Sequence, residues 1–164
     1  YSEKILTRSG AKPGDIICIS SQVGKASKGL KDWNNNIDSS FIDYYLRPKA
    51  KIELGKEISL SANACIDTSD GLLADLKKIL DASKCGADIY LDDIPITSDI
   101  NDLNAGDDYE LIIISSQKNR NKIFNIANKN NINVTLIGKI ISEKGIHFDS
   151  HLNIKNIKKF DHFF

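Results

Sequence analysis

Several residue types and patterns are scarce in this chain, and each absence excludes a class of protein. The three cysteines are too few for a disulfide framework, and they lack the paired spacing of a zinc site. No apolar run approaches the roughly 20 residues that span a bilayer. Lys and Arg total 22 and Asp and Glu total 22, so the net positive charge typical of nucleic-acid binding is missing. We therefore expect a cytoplasmic protein with no membrane and no nucleic-acid partner.

Methionine is absent altogether, and the chain begins with Tyr1. An initiator methionine is normally removed only when the second residue is small, and tyrosine is not small. We therefore expect the chain to be a piece of a longer protein, with the break before Tyr1.

The remaining composition is that of an ordinary domain, because hydrophobic residues make up 41% of the 164 positions. Apolar runs and helical spacing alternate along the chain, and Gly86 stands where a glycine would end a helix. We predict a single α/β (α+β) domain over residues 15–164, with a mixed sheet covered by helices, after an entry segment 1–14. The predicted strands are 16–20, 64–67, 87–91, 109–115 and 134–141, and the predicted helices are 37–46, 52–60, 72–80 and 119–130.

The first stretch with chemical potential follows the predicted strand 64–67. Asp67, Ser69 and Asp70 cluster there, before Gly71 turns the chain into a helix. Carboxylates at the end of a strand suit Mg²⁺, which prefers hard oxygen ligands, and a serine hydroxyl suits a metal or a phosphate. Alternatively, Ser69 or Asp70 caps the helix by accepting a bond from its free N–H groups. The local pattern leaves both interpretations open.

The second such stretch is an acidic segment between Gly106 and an apolar strand. Alternation along an extended strand puts Asp108 and Glu110 on one side of it. Asp107 and Tyr109 then lie on the other side. The segment is either a recognition element for a polar ligand or a solvated acidic turn.

Two further patterns carry weaker signals. Gly24 and Gly29 flank Lys25 and Lys28, but this spacing is not the GxxxxGK[ST] of a P-loop, and we interpret it as a loop or the start of a helix. The histidines are too dispersed for a metal triad: His147, His151 and His162.

Taken in order, the short motifs of the chain resemble the C-terminal half of the thiamine-monophosphate kinases. No single motif is specific, but the set in this order is. The matching segments span nearly the whole length and are RSGAKPGD (8–15), YLRP (45–48), ELG (53–55), ACIDTSDGL (64–72), GDDYEL (106–111), IG (137–138) and FDHF (160–163).

This resemblance implies a fold and a reaction. Enzymes of this superfamily, which includes aminoimidazole ribonucleotide synthetase, have two α/β domains. The missing N-terminal domain would carry Mg-ATP and form the homodimer. The implied reaction is the phosphorylation of thiamine monophosphate by ATP to thiamine diphosphate, by direct transfer assisted by Mg²⁺. The alternatives are a related enzyme with another acceptor and a ligand-binding module without catalysis. The chain alone is expected to be inactive or nearly so.

The resemblance also implies roles for individual residues. Asp67 and Asp70 match positions that bind Mg²⁺, and Ser69 matches a position that contacts ATP. Asp107 matches an acidic position that contacts the substrate. Phe160 matches an aromatic position near the pyrimidine ring of the substrate, where stacking suits a flat heterocycle, and Phe163 is a second candidate for that role.

Three features depart from the family pattern. Ala105 stands where a glycine is usual, and a positive φ there would cost energy because alanine has a Cβ. The stretch 96–104 is short, so we expect it to lack a helix or part of one. Lys25 occupies a position where a small or acidic residue is usual.

Overall fold

The structure is a computed structural model that describes residues 5–149. Short 3₁₀ turns lie at Leu91–Asp93, Ile100–Asn104 and Gln117–Asn119. Within the described range, no helix has the length and apolar character needed to cross a membrane. The described strands are β1 (Asp15–Ser20), β2 (Ala64–Asp67), β3 (Gly86–Ile89), β4 (Leu111–Ser116), β5 (Val134–Ile141) and β6 (Gly145–Phe148). The described helices are α1 (Lys25–Asn34), α2 (Ile42–Leu46), α3 (Ile52–Ile58), α4 (Leu72–Ser83) and α5 (Arg120–Lys129).

These strands form one sheet in the order β2-β4-β1-β5-β3-β6. Every neighbouring pair is antiparallel except β3 and β6, which run parallel. The prediction of a mixed sheet covered by helices is thereby confirmed.

Helices cover both faces of the sheet, so the central strand β1 is buried at every position. Ile17 and Ile19 face the side occupied by α4, while Ile16 and Cys18 face the side occupied by α3 and α5. Fully burying an isoleucine side chain stabilises a fold by about 1.5–3 kcal/mol. The continuous apolar run of β1 in the sequence therefore reflects a strand that is packed from both sides.

The predicted helix 37–46 is shorter in the structure, where only Ile42–Leu46 is helical. Asn36 has a φ of 55°, which turns the chain back after α1. The backbone N–H of Ile37 then donates to the carbonyl of Asp32 at 2.9 Å, and the Ser39 hydroxyl donates to the Asp32 carboxylate at 2.6 Å. These bonds hold the segment as a turn against the end of α1.

The prediction that Gly86 ends helix α4 is wrong. Helix α4 ends at Ser83 and is capped by Lys84, which takes the left-handed conformation with a φ of 57°. Gly86 instead begins β3. A Cβ at Gly86 would lie 1.8 Å from the carbonyl oxygen of Glu143, so glycine is needed there for close approach of two backbones. The stretch from Gly145, which lacks a clear pattern, forms the edge strand β6, because edge pairing needs backbone bonds more than side-chain alternation.

Candidate functional site

The candidate site residues collect at one edge of the sheet. Asp67 ends β2 and Leu111 begins the neighbouring β4, while Ser20 ends β1 and Val134 begins β5. Because neighbouring strands here are antiparallel, the end of one lies beside the start of the next. The loops that carry the two predicted motifs therefore leave the sheet at the same place.

Backbone hydrogen bonds join the two motifs directly. The N–H of Asp107 donates to the carbonyl of Ser69 at 3.1 Å, and the N–H of Tyr109 donates to the carbonyl of Thr68 at 3.1 Å. In return, the N–H of Thr68 donates to the carbonyl of Glu110 at 2.8 Å. The structure thus places Ser69 beside Asp107, although the two are far apart in sequence.

Two glycines make this approach possible. A Cβ at Gly106 would lie 2.3 Å from the carbonyl oxygen of Ser69, and a Cβ at Gly71 would lie 2.8 Å from the backbone of Asn104. Gly71 also has a φ of 107°, which favours glycine. Ala105 has a φ of −78°, so the strain expected for alanine at that position does not arise.

The carboxylates of Asp67 and Asp107 create a negative region around the Tyr109 hydroxyl. Asp67 and Tyr109 line a cleft of about 380 Å³. The pKa of the Tyr109 hydroxyl is raised, first by the negative charge of Asp107, then by burial and by the charge of Asp67. A region in which two carboxylates act on one hydroxyl favours the binding of a cation.

Asp70 has a different environment at the start of α4. Its carboxylate forms an ion pair with Lys78, and its backbone N–H donates to the buried carboxylate of Asp75 at 2.8 Å. The N-cap residue of α4 is Gly71, and no side-chain bond caps that position. The ion pair places the Asp70 carboxylate in a charged cluster, and both the metal role and the capping role of Asp70 stay predictions.

The pKa of Lys78 is raised, because Asp70 and then Asp75 accept hydrogen bonds from its ammonium group. No complete metal site is formed within the described residues. Residues 5–149 contain no group of three or more His, Cys, Asp or Glu side chains arranged to hold a metal ion. A metal bound by Asp67 and Asp70 would take its remaining ligands from water, substrate or residues beyond this range.

Asp108 caps helix α1 from a distance. Its carboxylate accepts the backbone N–H groups of Gly24 at 2.5 Å and of Ala26 at 2.9 Å. These groups lie at the start of α1, where backbone N–H groups lack partners within the helix. The acidic segment therefore also serves as a structural clamp.

Glu110 is the fully buried carboxylate of the acidic run 107–110, at 2% exposure, whereas Asp108 is half-buried. It accepts a bond from the Ser20 hydroxyl at 2.5 Å and pairs with the ammonium group of Lys51 at 3.2 Å. Strand β4 begins only after it, and Asp107 and Tyr109 have φ values of 67° and 51°. The predicted strand alternation at 107–110 is therefore wrong, since the backbone there is not extended.

Asp108 should make the stability of the fold depend on pH. Burial raises the pKa of Asp108 to about 6, against the opposing effect of its bonds to Ala26 and Gly24. The unfolded chain has an ordinary pKa near 3.9, so the folded state binds the proton more tightly and this contribution to stability is lost as pH rises through about 6. Relative to Asp108→Asn, the wild-type chain should lose on the order of 2 kcal/mol of unfolding free energy between pH 4.5 and 7.5.

Urea denaturation of both chains at these two pH values measures the difference. Other carboxylates titrate in both proteins and cancel in the comparison. If the unfolding free energy of both proteins changed equally between the two pH values, the raised pKa of Asp108 would be contradicted.

Some predicted residues lie outside the described range, and some residues of the site were not predicted. Phe160 lies outside the described residues, so its role stays a prediction.

Lys51 and Lys78 were not predicted from the sequence. Lys78 follows Asp75 at a helical spacing, which is a usable signal, but the pairing of Lys51 with Glu110 leaves no local pattern in the sequence.

Comparison with known proteins identifies the family. Residues 12–150 match the family model of the AIR synthase related protein, C-terminal domain. The thiamine-monophosphate kinase of Buchnera aphidicola subsp. Schizaphis graminum is 39% identical over 173 residues, which cover 94% of this chain and 52% of that relative. The chain thus spans about half the length of the curated relatives that it matches.

Solved structures agree with this match. The crystal structure of thiamine-monophosphate kinase from Stenotrophomonas maltophilia superposes with a TM-score of 0.82 at 30% identity, covering 90% of this chain and 54% of that chain. A structure of AaThiL complexed with AMPPCP and TMP superposes with a TM-score of 0.76, covering 98% of this chain and 53% of that chain. Its 24% identity supports the fold alone. The chain therefore belongs to the AIR synthase related proteins, and its residues 12–150 form the C-terminal domain of that family.

Proposed function

We propose that this chain is the C-terminal part of a thiamine-monophosphate kinase, which transfers a phosphoryl group from ATP to thiamine monophosphate and yields thiamine diphosphate. One observation carries the proposal: the Asp67–Gly71 loop and the Gly106–Leu111 segment are bonded side by side. These two segments carry the motifs of the kinase family, and the curated relatives bear that name. AaThiL, a structural relative, was solved with AMPPCP and TMP.

We infer that Mg²⁺ is held partly by Asp67 and Asp70. Their carboxylates are hard oxygen donors of the kind that Mg²⁺ takes. A bound Mg²⁺ would neutralise charge between two phosphate-bearing reactants. Lys78 keeps its bond to Asp75 at 2.7 Å, so Asp70 can turn to a cation without leaving Lys78 unpaired.

The remaining roles concern orientation of the reactants. We assign Ser69 to the nucleotide, and Asp107 and Phe160 to the acceptor. The 3.1 Å bond between the Asp107 N–H and the Ser69 carbonyl fixes the two contact points side by side. In-line phosphoryl transfer depends on such positioning more than on covalent help from the protein. We infer further that the complete enzyme is a cytoplasmic homodimer whose N-terminal domain supplies other contacts to ATP.

The test uses the complete protein that contains this chain. It is incubated with Mg-ATP and thiamine monophosphate, and thiamine diphosphate is measured by chromatography. Formation of thiamine diphosphate supports the proposal. A folded, ATP-binding protein that makes no thiamine diphosphate would contradict it, and other phosphorylated acceptors would then be tested in the same assay.

Replacing Phe160 by Ala should chiefly raise the KM for thiamine monophosphate, because stacking on the pyrimidine ring would be lost. A loss of about 1–2 kcal/mol of binding free energy corresponds to a rise in KM of roughly 5- to 30-fold. Phe163→Ala, at the second candidate position in the same segment, is measured beside it. An unchanged KM in Phe160→Ala would refute the role, and a raised KM in Phe163→Ala alone would transfer it to Phe163.

A further inference from the structure

A second cleft lies at the same edge of the sheet, between the end of β1 and the start of β5. Its volume is about 590 Å³, larger than that of the cleft beside Asp67. Among the described residues that line it there are two lysines and several amide and hydroxyl groups, but no carboxylate. The lining includes Gln22, Lys25, Tyr44, Lys51, Asn133 and Thr135.

Both lysines of this cleft are held in place by their neighbours. Lys51 is only 18% exposed, and its ammonium group lies 3.2 Å from the buried Glu110 carboxylate. The ammonium group of Lys25 lies 4.8 Å from the centre of the Tyr44 ring. Cations that are already oriented lose little conformational freedom when an anion binds.

The carboxylates of Asp108 and Glu110 already have partners within the protein. Asp108 accepts the N–H groups of Gly24 and Ala26, and Glu110 accepts the Ser20 hydroxyl in addition to Lys51. Neither carboxylate lines the cleft. An anion in the cleft would therefore meet ammonium, amide and hydroxyl donors.

Another lysine-containing cleft, of about 420 Å³, offers a contrast. It lies between α4 and β6 and is lined by Lys77, Lys84 and Lys144. Asp81 also lines that cleft, and its carboxylate pairs with Lys77 at 2.5 Å. Asp81 lines that cleft and would repel an anion there, whereas no carboxylate lines the cleft of Lys25 and Lys51, which is therefore the better anion site.

We propose that the cleft of Lys25 and Lys51, here named the lysine cleft, binds the phosphate group of a small phosphorylated molecule. Gln22, Asn133 and Thr135 supply hydrogen-bonding partners for the polar remainder of that molecule. Lys51 also lines the cleft of Asp67 and Tyr109, so it connects the phosphate site with the carboxylates. The choice between nucleotide and phosphorylated acceptor rests on the proposed function, whereas anion binding itself does not.

The first test titrates the 164-residue chain with inorganic pyrophosphate by calorimetry, without metal and at low salt. Saturable binding is expected, and Lys25→Met should weaken it about tenfold or more, because a charge-assisted bond is lost. Lys118→Met, beyond the opposite end of β4, and Lys84→Met, in the other cleft, should bind like the wild type. Absence of wild-type binding, an unchanged Lys25→Met or a loss in Lys84→Met would each overturn the proposal.

Lys51 needs a different variant, because its loss alone would leave Glu110 buried without a cation. We therefore compare the Glu110→Gln variant with the double variant that carries Glu110→Gln and Lys51→Met. Thermal melts first show that both proteins are folded. Weaker pyrophosphate binding in the double variant supports the proposal, and equal binding counts against Lys51.

The second test identifies the source of the phosphate. ADP and thiamine monophosphate are titrated separately, without metal, into the wild type and Lys25→Met. The compound whose affinity falls in Lys25→Met is the one that occupies the lysine cleft, and a fall for neither overturns the proposal. A complete protein that makes no thiamine diphosphate would refute the proposed function but would leave the pyrophosphate result unchanged.

Discussion

Replacing Asp70 by Asn should lower the kcat of the complete enzyme about a hundredfold or more, with little change in stability. Asp70 is proposed to hold Mg²⁺, and its charge would be lost in this variant; such electrostatic contributions to a transition state are large. The ion pair with Lys78 is 35% exposed on both sides, and pairs of this kind contribute about 1 kcal/mol or less to folding. Lys78 would also keep Asp75 as a partner.

Steady-state kinetics over a range of Mg²⁺ concentrations measures this effect, and urea denaturation measures the stability. Asp81→Asn is the matched control, because Asp81 lies on the same helix and pairs with Lys77 at 66% exposure. It should leave both kcat and stability near the wild-type values. A kcat for Asp70→Asn within a few-fold of wild type at every Mg²⁺ concentration would disprove the metal role.

Replacing Gly106 by Ala should separate the two motifs and lower both stability and activity. The added Cβ would lie 2.3 Å from the carbonyl oxygen of Ser69 and 3.5 Å from the Cα of Asp70. Both neighbours are backbone atoms, so the two segments must move apart and the bond between Asp107 and Ser69 must weaken. Overpacking of this kind costs about 1–3 kcal/mol of unfolding free energy.

Gly55→Ala is the control for this substitution. Gly55 lies inside α3, and the nearest atom to a Cβ there is a methyl carbon of Leu111 at 3.9 Å. Alanine at this position should stabilise the chain by about 0.5–1 kcal/mol. Denaturation of the chain and turnover of the complete enzyme give the two readouts. Equal stability and turnover for Gly106→Ala and wild type would show that the close approach is dispensable.

The elements of the fold follow largely from local pattern. The predicted strands near 16–20, 64–67 and 134–141 and the predicted helix 119–130 agree with the structure to within one residue at each end. Buried strands appear as short apolar runs because both faces of the sheet are covered, and α4 appears as an apolar stripe because one face packs on the sheet. The motifs also indicated the family, since they occur in the same order as in that family.

The arrangement of the charged groups was decided by tertiary structure. Asp107 to Glu110 form one acidic run in the sequence, yet Asp108 caps α1, Glu110 pairs with Lys51, and Asp107 stays exposed. Each partner comes from a distant segment, so no local periodicity encodes the choice. The sequence alone determined the elements and the motifs, because period and turn residues are local properties. Packing decided which carboxylates clamp the fold and which stay exposed, because their partners come from segments that only the folded chain brings together.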